Sequence, residues 1–315
     1  MQPTYPGLLI LAAALLALAP VWGIGAWLLF MSLRRRAYFR YKGMEPPPLS
    51  NLAFAQYALR EGISMLTLLW WRARAALSDG PRAPTGPVTG PPVLCVHGIT
   101  QNGTNLWGIR RALGRRGRAT RAVSLGLFGR PLTAYVPPLE RAFRELVAAS
   151  PDGRVDVVAH SMGGVVLRMM LAGHPDLAPH LRRVVTLGSP HAGTASGRGL
   201  PLGGSVRLLG RRSALLRDLP GFPSSATLTT VSARHDLIVY PQDTCHLPGA
   251  RTIDLPDIGH VGLLTRRVAI ERVVDVVCED DAAAAERQAF GDRACEPAPP
   301  DTAEDGGPTE MLAST

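Results

Sequence analysis

The residues with the clearest capacity for chemistry lie in Val155-Asp156-Val157-Val158-Ala159-His160-Ser161-Met162-Gly163-Gly164-Val165-Val166. An apolar run, a small-residue turn carrying a serine and a second apolar run predict a buried strand, a tight turn and a helix, with Ser161 exposed at the strand tip. A five-residue pattern of small residues is weak in a chain with 33 glycines; the strand before it and the helix after it give it weight. A serine hydroxyl is a poor nucleophile at neutral pH, so a base has to take its proton and an acid has to orient that base. Downstream, Asp236 follows the apolar run Leu228 to Ala233, and His260 follows Ala250 to Leu255, flanked by Gly259 and Gly262. A histidine ahead of a helix is ordinarily a cap or a surface residue. Here the order serine, acid, histidine and the placement just past strand ends favour the catalytic assignment.

Attack by Ser161 would place negative charge on the former carbonyl oxygen, which needs two backbone N–H donors already aimed at it. Met162, first in the helix, supplies one, and Ile99 in the loop of Val96-His97-Gly98-Ile99-Thr100 supplies the other. Gly98 gives that loop freedom to turn an amide inward, His97 shapes the loop, and Gly163 keeps the turn beside the serine open. Asp254 and Asp257 are alternative acids, disfavoured because they share the strand and loop of the base. His160 is expected to point away from the nucleophile, and His174, His180, His235 and His246 are read as structural or solvated.

The elements that position these residues alternate. Apolar strand-like runs occur at 93–96, 122–127, 155–159, 184–187, 228–231 and 250–255, with amphipathic helical stretches at 106–115, 138–149, 162–172 and 261–277. Continuous apolar strands separated by helices imply an α/β fold with a mostly parallel sheet covered on both faces, whose sites lie at the carboxyl ends of strands.

With these motifs in place, the chain resembles the bacterial lipases and carboxylesterases of the α/β-hydrolase superfamily over about residues 93–277. The resemblance is carried by Val96-His97-Gly98-Ile99, Ala159 to Gly164, Leu187-Gly188-Ser189-Pro190-His191-Ala192-Gly193-Thr194, Asp236 with Leu237-Ile238-Val239, and Gly259 to Leu264. It implies carboxylester hydrolysis on a lipid-like acyl ester, with Ser161, Asp236 and His260 as triad and Ile99 and Met162 as oxyanion donors. It implies no cofactor. A thioesterase, a phospholipid deacylase or an amidase would use the same triad, and a non-catalytic binding protein on this scaffold would need a broken one.

Around that span, the chain is expected to divide into four segments. Residues 1–36 read as an N-terminal transmembrane anchor with a basic flank, because 7–33 is uncharged and apolar and Arg34, Arg35, Arg36, Arg40 and Lys42 follow. The positive-inside rule then places the catalytic domain in the cytoplasm, with the membrane as partner. Residues 37–92 read as an amphipathic helix, 50–76, and a Pro/Gly linker; the apolar stretch Ile63 to Trp71 would rest on a membrane or on the folded domain. Residues 93–278 form the catalytic domain, with 194–224 as a candidate lid, acyl-pocket wall or packed surface helix, and 279–315 an acidic disordered tail.

The net charge of +9 comes almost wholly from arginines spread along the chain, with Lys42 the only lysine, so no nucleic-acid partner is expected. Four cysteines without a CxxC pair and no histidine at ligand spacing predict no metal site. Cys95 belongs to a core run, whereas Cys245 would pair with Cys278 or Cys295 in an oxidising compartment, which would contradict the cytoplasmic placement.

Overall fold

The computed structural model describes residues 6–45, 50–76, 88–126, 129–197 and 204–279. The expected tail from 280 onward, most of the Pro/Gly linker and residues 198–203 of the candidate lid lie outside the described residues.

Six strands form one parallel sheet: β1 (Val93–Val96), β2 (Thr120–Val123), β3 (Val155–His160), β4 (Leu181–Leu187), β5 (Thr227–Ala233) and β6 (Arg251–Leu255), in the order β2-β1-β3-β4-β5-β6. Successive side chains of a strand point to opposite faces, and here both faces are covered. Leu94 and Val96 join one core cluster with α4 (Val136–Ala149) and α5 (Met162–Gly173), while Val93 and Cys95 join another with α3 (Trp107–Arg115) and the C-terminal helices. That two-sided burial is why these strands read as unbroken apolar runs. The stretch read as one helix over 261–277 is two, α8 (Gly262–Thr265) and α9 (267–279), with a break at Arg266.

Chain order reverses between β1 and β3, and the crevice outside their carboxyl ends is where parallel sheets of this kind bind ligands. Ile99 follows β1 and Ser161 follows β3, so the two sides of the crevice carry the expected oxyanion donor and the expected nucleophile. At the opposite end of β3, Asp156 is fully buried and accepts from Arg118 and, in bidentate fashion, from Arg182 Nε at 2.8 Å and Nη2 at 2.6 Å. Arg118 also donates to the carbonyls of Pro91 and Val277, tying the base of the sheet to α9.

Two long helices precede the sheet, α1 (Pro6–Tyr41) and α2 (Asn51–Ala76). Among the described residues no helix is long and apolar enough to cross a membrane, which corrects the expected transmembrane anchor in residues 1–36. The physical reason lies in what α1 does from Val21 onward: its apolar run ends at Leu33 against three consecutive arginines, and Leu28 and Met31 are buried against Tyr57 of α2 and Leu237 of the sheet domain. The membrane as partner, and the cytoplasmic placement that rested on an anchor, fall with it. The apolar stretch Ile63 to Trp71 packs in part on the folded domain, with Leu68 in the core cluster beneath α3. Cys245 is a buried free thiol, and Cys295, one of the two partners considered for it, lies outside the described residues.

The described part of 194–224 contains two short α-helices, α6 (Gly204–Leu208) and α7 (Ala214–Asp218). Leu209, Leu216 and Leu219 are buried in the core beside α5, and Arg168 of α5 donates to the carbonyls of Leu219 at 2.5 Å and Pro220 at 2.9 Å. This segment walls a cavity of about 960 Å3 with His191 and His246, separate from the crevice at Ser161.

Candidate active site

Ser161 sits at φ 54°, ψ −124°, a region that side chains other than glycine rarely occupy, between the last residue of β3 and the first of α5. The strain is held from both sides: the Ser161 N–H donates to the Leu187 carbonyl of β4 at 2.8 Å, and α5 begins at once. Two glycines make the turn possible by close approach. A Cβ at Gly163 would lie 2.8 Å from the His97 carbonyl oxygen, and one at Gly98 would lie 2.8 Å from the Ser161 Cβ.

Beyond β5, Asp236 is buried, and its Oδ1 accepts from the N–H groups of Ile238 and Val239, both at 2.7 Å. Its Oδ2 lies 2.7 Å from Nδ1 of His260, beyond β6. Burial pulls the His260 pKa down, but the charge and hydrogen bond of Asp236, with the charge of Glu61, outweigh it, and the net shift is upward. Asp254 instead accepts from Ser232 and lies 3.3 Å from His246, and Asp257 is exposed beside His235. His174 pairs with Glu140, and His180 lies 2.7 Å from the Gly153 carbonyl.

In the loop after β1, the Leu125 N–H donates to His97 Nε2 at 2.9 Å, which leaves the proton on Nδ1, 2.7 Å from the Gly98 carbonyl. His97 is thus neutral and committed to the loop, and burial holds its pKa down. The Gly98 N–H donates to Gln101 Oε1 at 2.8 Å, and Thr100 takes φ 60°. Ile99 and Ser161 line one cavity of about 340 Å3 with His160, His260 and Gln101. Met162, at the first position of α5, has an N–H with no partner inside its helix.

Three features were not expected from the sequence. His160 does not point away: it lines the cavity and packs against His260. Further walls come from the N-terminal helices, Ile24 and Trp27 of α1, where the sequence suggested a membrane anchor, and Met65, Leu68, Leu69 and Arg72 of α2. Glu61 of α2 is buried and accepts from the N–H groups of Val261 and Gly262, the two residues after His260. Among the described residues no group of three or more His, Cys, Asp or Glu is placed to hold a metal ion.

A family model described as the alpha/beta hydrolase fold matches residues 91–202. Among solved structures, lipase B of Aspergillus fumigatus superposes with a TM-score of 0.53 and 19% identity, over 62% of this chain and 55% of that one, so the match spans little more than half of the fungal protein. The mature lipase BlEst2 of Bacillus licheniformis superposes with a TM-score of 0.54 and 17% identity, over 62% of this chain and 96% of that one. At these identities the likeness is one of fold.

Proposed function

From the premise that this chain is a member of the α/β-hydrolase superfamily resembling lipases and esterases, we propose that it is a serine carboxylester hydrolase acting on apolar acyl esters. The observation that carries the reading is one arrangement: a buried serine on a strained strand-to-helix turn opens on the same cavity as a histidine whose other ring nitrogen is 2.7 Å from a buried aspartate.

In this reading Ser161 Oγ attacks the ester carbonyl while His260 Nε2 takes its proton, and the N–H groups of Ile99 and Met162 stabilise the oxyanion. Collapse of the tetrahedral adduct breaks the bond to the alcohol, which leaves with the proton held by His260. Water, deprotonated by His260, then releases the acid and restores Ser161. Asp236 fixes the proton on Nδ1 of His260 and stabilises the imidazolium, and its own bonds to Ile238 and Val239 fix its orientation. Support for an apolar acyl or alkyl group comes from the walls: Ile24, Trp27, Met65, Leu68, Leu69 and Ile238 face the cavity.

The test is hydrolysis of a p-nitrophenyl ester series from short to long acyl chains by the full chain, beside Ser161→Ala, with fluorophosphonate labelling of both. Turnover and labelling that vanish in the variant support the reading. A folded wild-type chain that neither turns over the esters nor takes the label refutes it.

A further inference from the structure

Glu61 is a glutamate in the wrong place for a solvated helix residue. The residue is only 3% exposed, and it lies on the stripe Tyr57, Glu61, Ser64, Leu68 that α2 buries. Oε1 accepts the Val261 N–H at 2.6 Å and Oε2 the Gly262 N–H at 3.0 Å, so both carboxylate oxygens are spent on the start of α8, next to His260. The approach is close enough to require glycine: a Cβ on Gly259 would lie 2.5 Å from the Glu61 carboxyl carbon and 2.6 Å from the Tyr57 hydroxyl. An ionised carboxylate is costly to bury, and two backbone N–H donors are what a helix start offers an anion.

We propose that Glu61 is a positioning residue for His260: by clamping the two backbone N–H groups that follow the imidazole, it fixes the loop carrying the base and makes the N-terminal helix pair a working part of the active site. This rests on the reading of Ser161, His260 and Asp236 as a triad.

The charges around Glu61 agree with a link to His260. Facing it are Asp236 and His260 from the loops after β5 and β6 and Tyr57 one turn earlier on α2; Arg35 of α1, itself buried, faces Tyr57 and Asp236 from the other side. Burial, opposed by the Val261 N–H and reinforced by Asp236, pushes the Glu61 carboxyl up to about 7, and the Glu61 charge in turn raises His260. Protonation of Glu61 would free one N–H of the clamp and place an O–H donor against it.

The test compares the full-length wild type with Glu61→Gln, using p-nitrophenyl butyrate turnover and the rate of fluorophosphonate labelling between pH 5 and 9. The amide introduced by Glu61→Gln would offer one acceptor oxygen and set an NH2 against the other N–H, so kcat is expected to fall about 10- to 100-fold with KM within about twofold. The acid limb of kcat/KM should also move to lower pH, because His260 loses a negative neighbour; a purely structural role would leave the limb where it is. A folded variant with wild-type kcat and an unmoved acid limb overturns the proposal. If the variant does not fold, the wild-type labelling rate decides: a fall in acid that requires two protons, on His260 and Glu61, supports the clamp, and a one-proton fall overturns it. Failure of the wild type to react at all would refute the triad reading instead.

Discussion

The imidazole of His160 packs on that of His260, ring centroids 4.6 Å apart and planes inclined by 49°. His160 Nε2 lies 3.2 Å from the His260 carbonyl and Nδ1 3.0 Å from Gln101 Oε1, the same oxygen that accepts the Gly98 N–H. Burial, then the neighbouring His260, holds the His160 pKa well below its usual value, so His160 remains a neutral spacer between the loop after β1 and His260, the proposed base. Gln101→Ala removes the shared acceptor. At about 1 kcal/mol for each neutral hydrogen bond lost, kcat should fall roughly 10- to 30-fold with little change in KM, measured on a p-nitrophenyl ester. Wild-type kcat in this variant would show that the loop holds its shape without Gln101.

Asp236→Asn keeps the volume and one acceptor for the N–H groups of Ile238 and Val239, but its amide nitrogen can present a donor to His260 Nδ1. The imidazole would then carry its proton on Nε2, the nitrogen that accepts from Ser161 in the proposed mechanism. In serine proteases the equivalent change costs about 10⁴ in kcat, and a loss of about 10³ to 10⁴ is expected here with folding intact. A loss of less than tenfold would mean that another carboxylate orients the base.

Gly163→Ala places a methyl against backbone, 2.8 Å from the His97 carbonyl and 2.9 Å from that of Val96. Backbone has little room to give, so the strand-to-helix turn has to open. A destabilisation of about 1–3 kcal/mol, read from urea unfolding, should accompany loss of fluorophosphonate labelling. Undiminished labelling would show that the turn tolerates a wider spacing.

Much of this arrangement is legible in the sequence, for identifiable reasons. β1, β3 and the turn at Ser161 are marked by strands buried on both faces and by small residues where the backbone closes up. β2 is harder: it is found at Thr120–Val123, a half-buried edge strand, rather than at the apolar run 122–127. The first 36 residues read as a membrane anchor because the apolar residues that wall a cavity and those that face lipid are the same residue types; only the arrangement of α1 and α2 over the crevice separates the two. Glu61 left a trace, since 57, 61, 64 and 68 fall on one helix face and a lone carboxylate among apolar positions signals a buried partner. That its partners are backbone N–H groups two hundred residues away has no signature in the residue types.

Glu61 also ties folding stability to pH. Its carboxyl is pushed up to about 7 by burial, from an ordinary value near 4.5, so the folded chain holds this proton when the unfolded chain has lost it. Stability from the protonated form is complete below about pH 4.5 and is lost as pH rises to about 7, in total about 3 kcal/mol. His97, His160 and His191 act in the opposite sense: burial keeps each neutral, so they destabilise the fold as pH drops below their usual 6.5. Comparing the wild type with Glu61→Gln removes these shared terms. His260, raised in part by Glu61, reinforces the difference, because the stability its charge lends is lost as pH rises through its folded value. Urea unfolding at pH 5 and pH 8 should therefore show the wild type losing about 2–3 kcal/mol relative to Glu61→Gln between the two. A difference that stays constant with pH would mean that Glu61 ionises in the folded chain as it does in water.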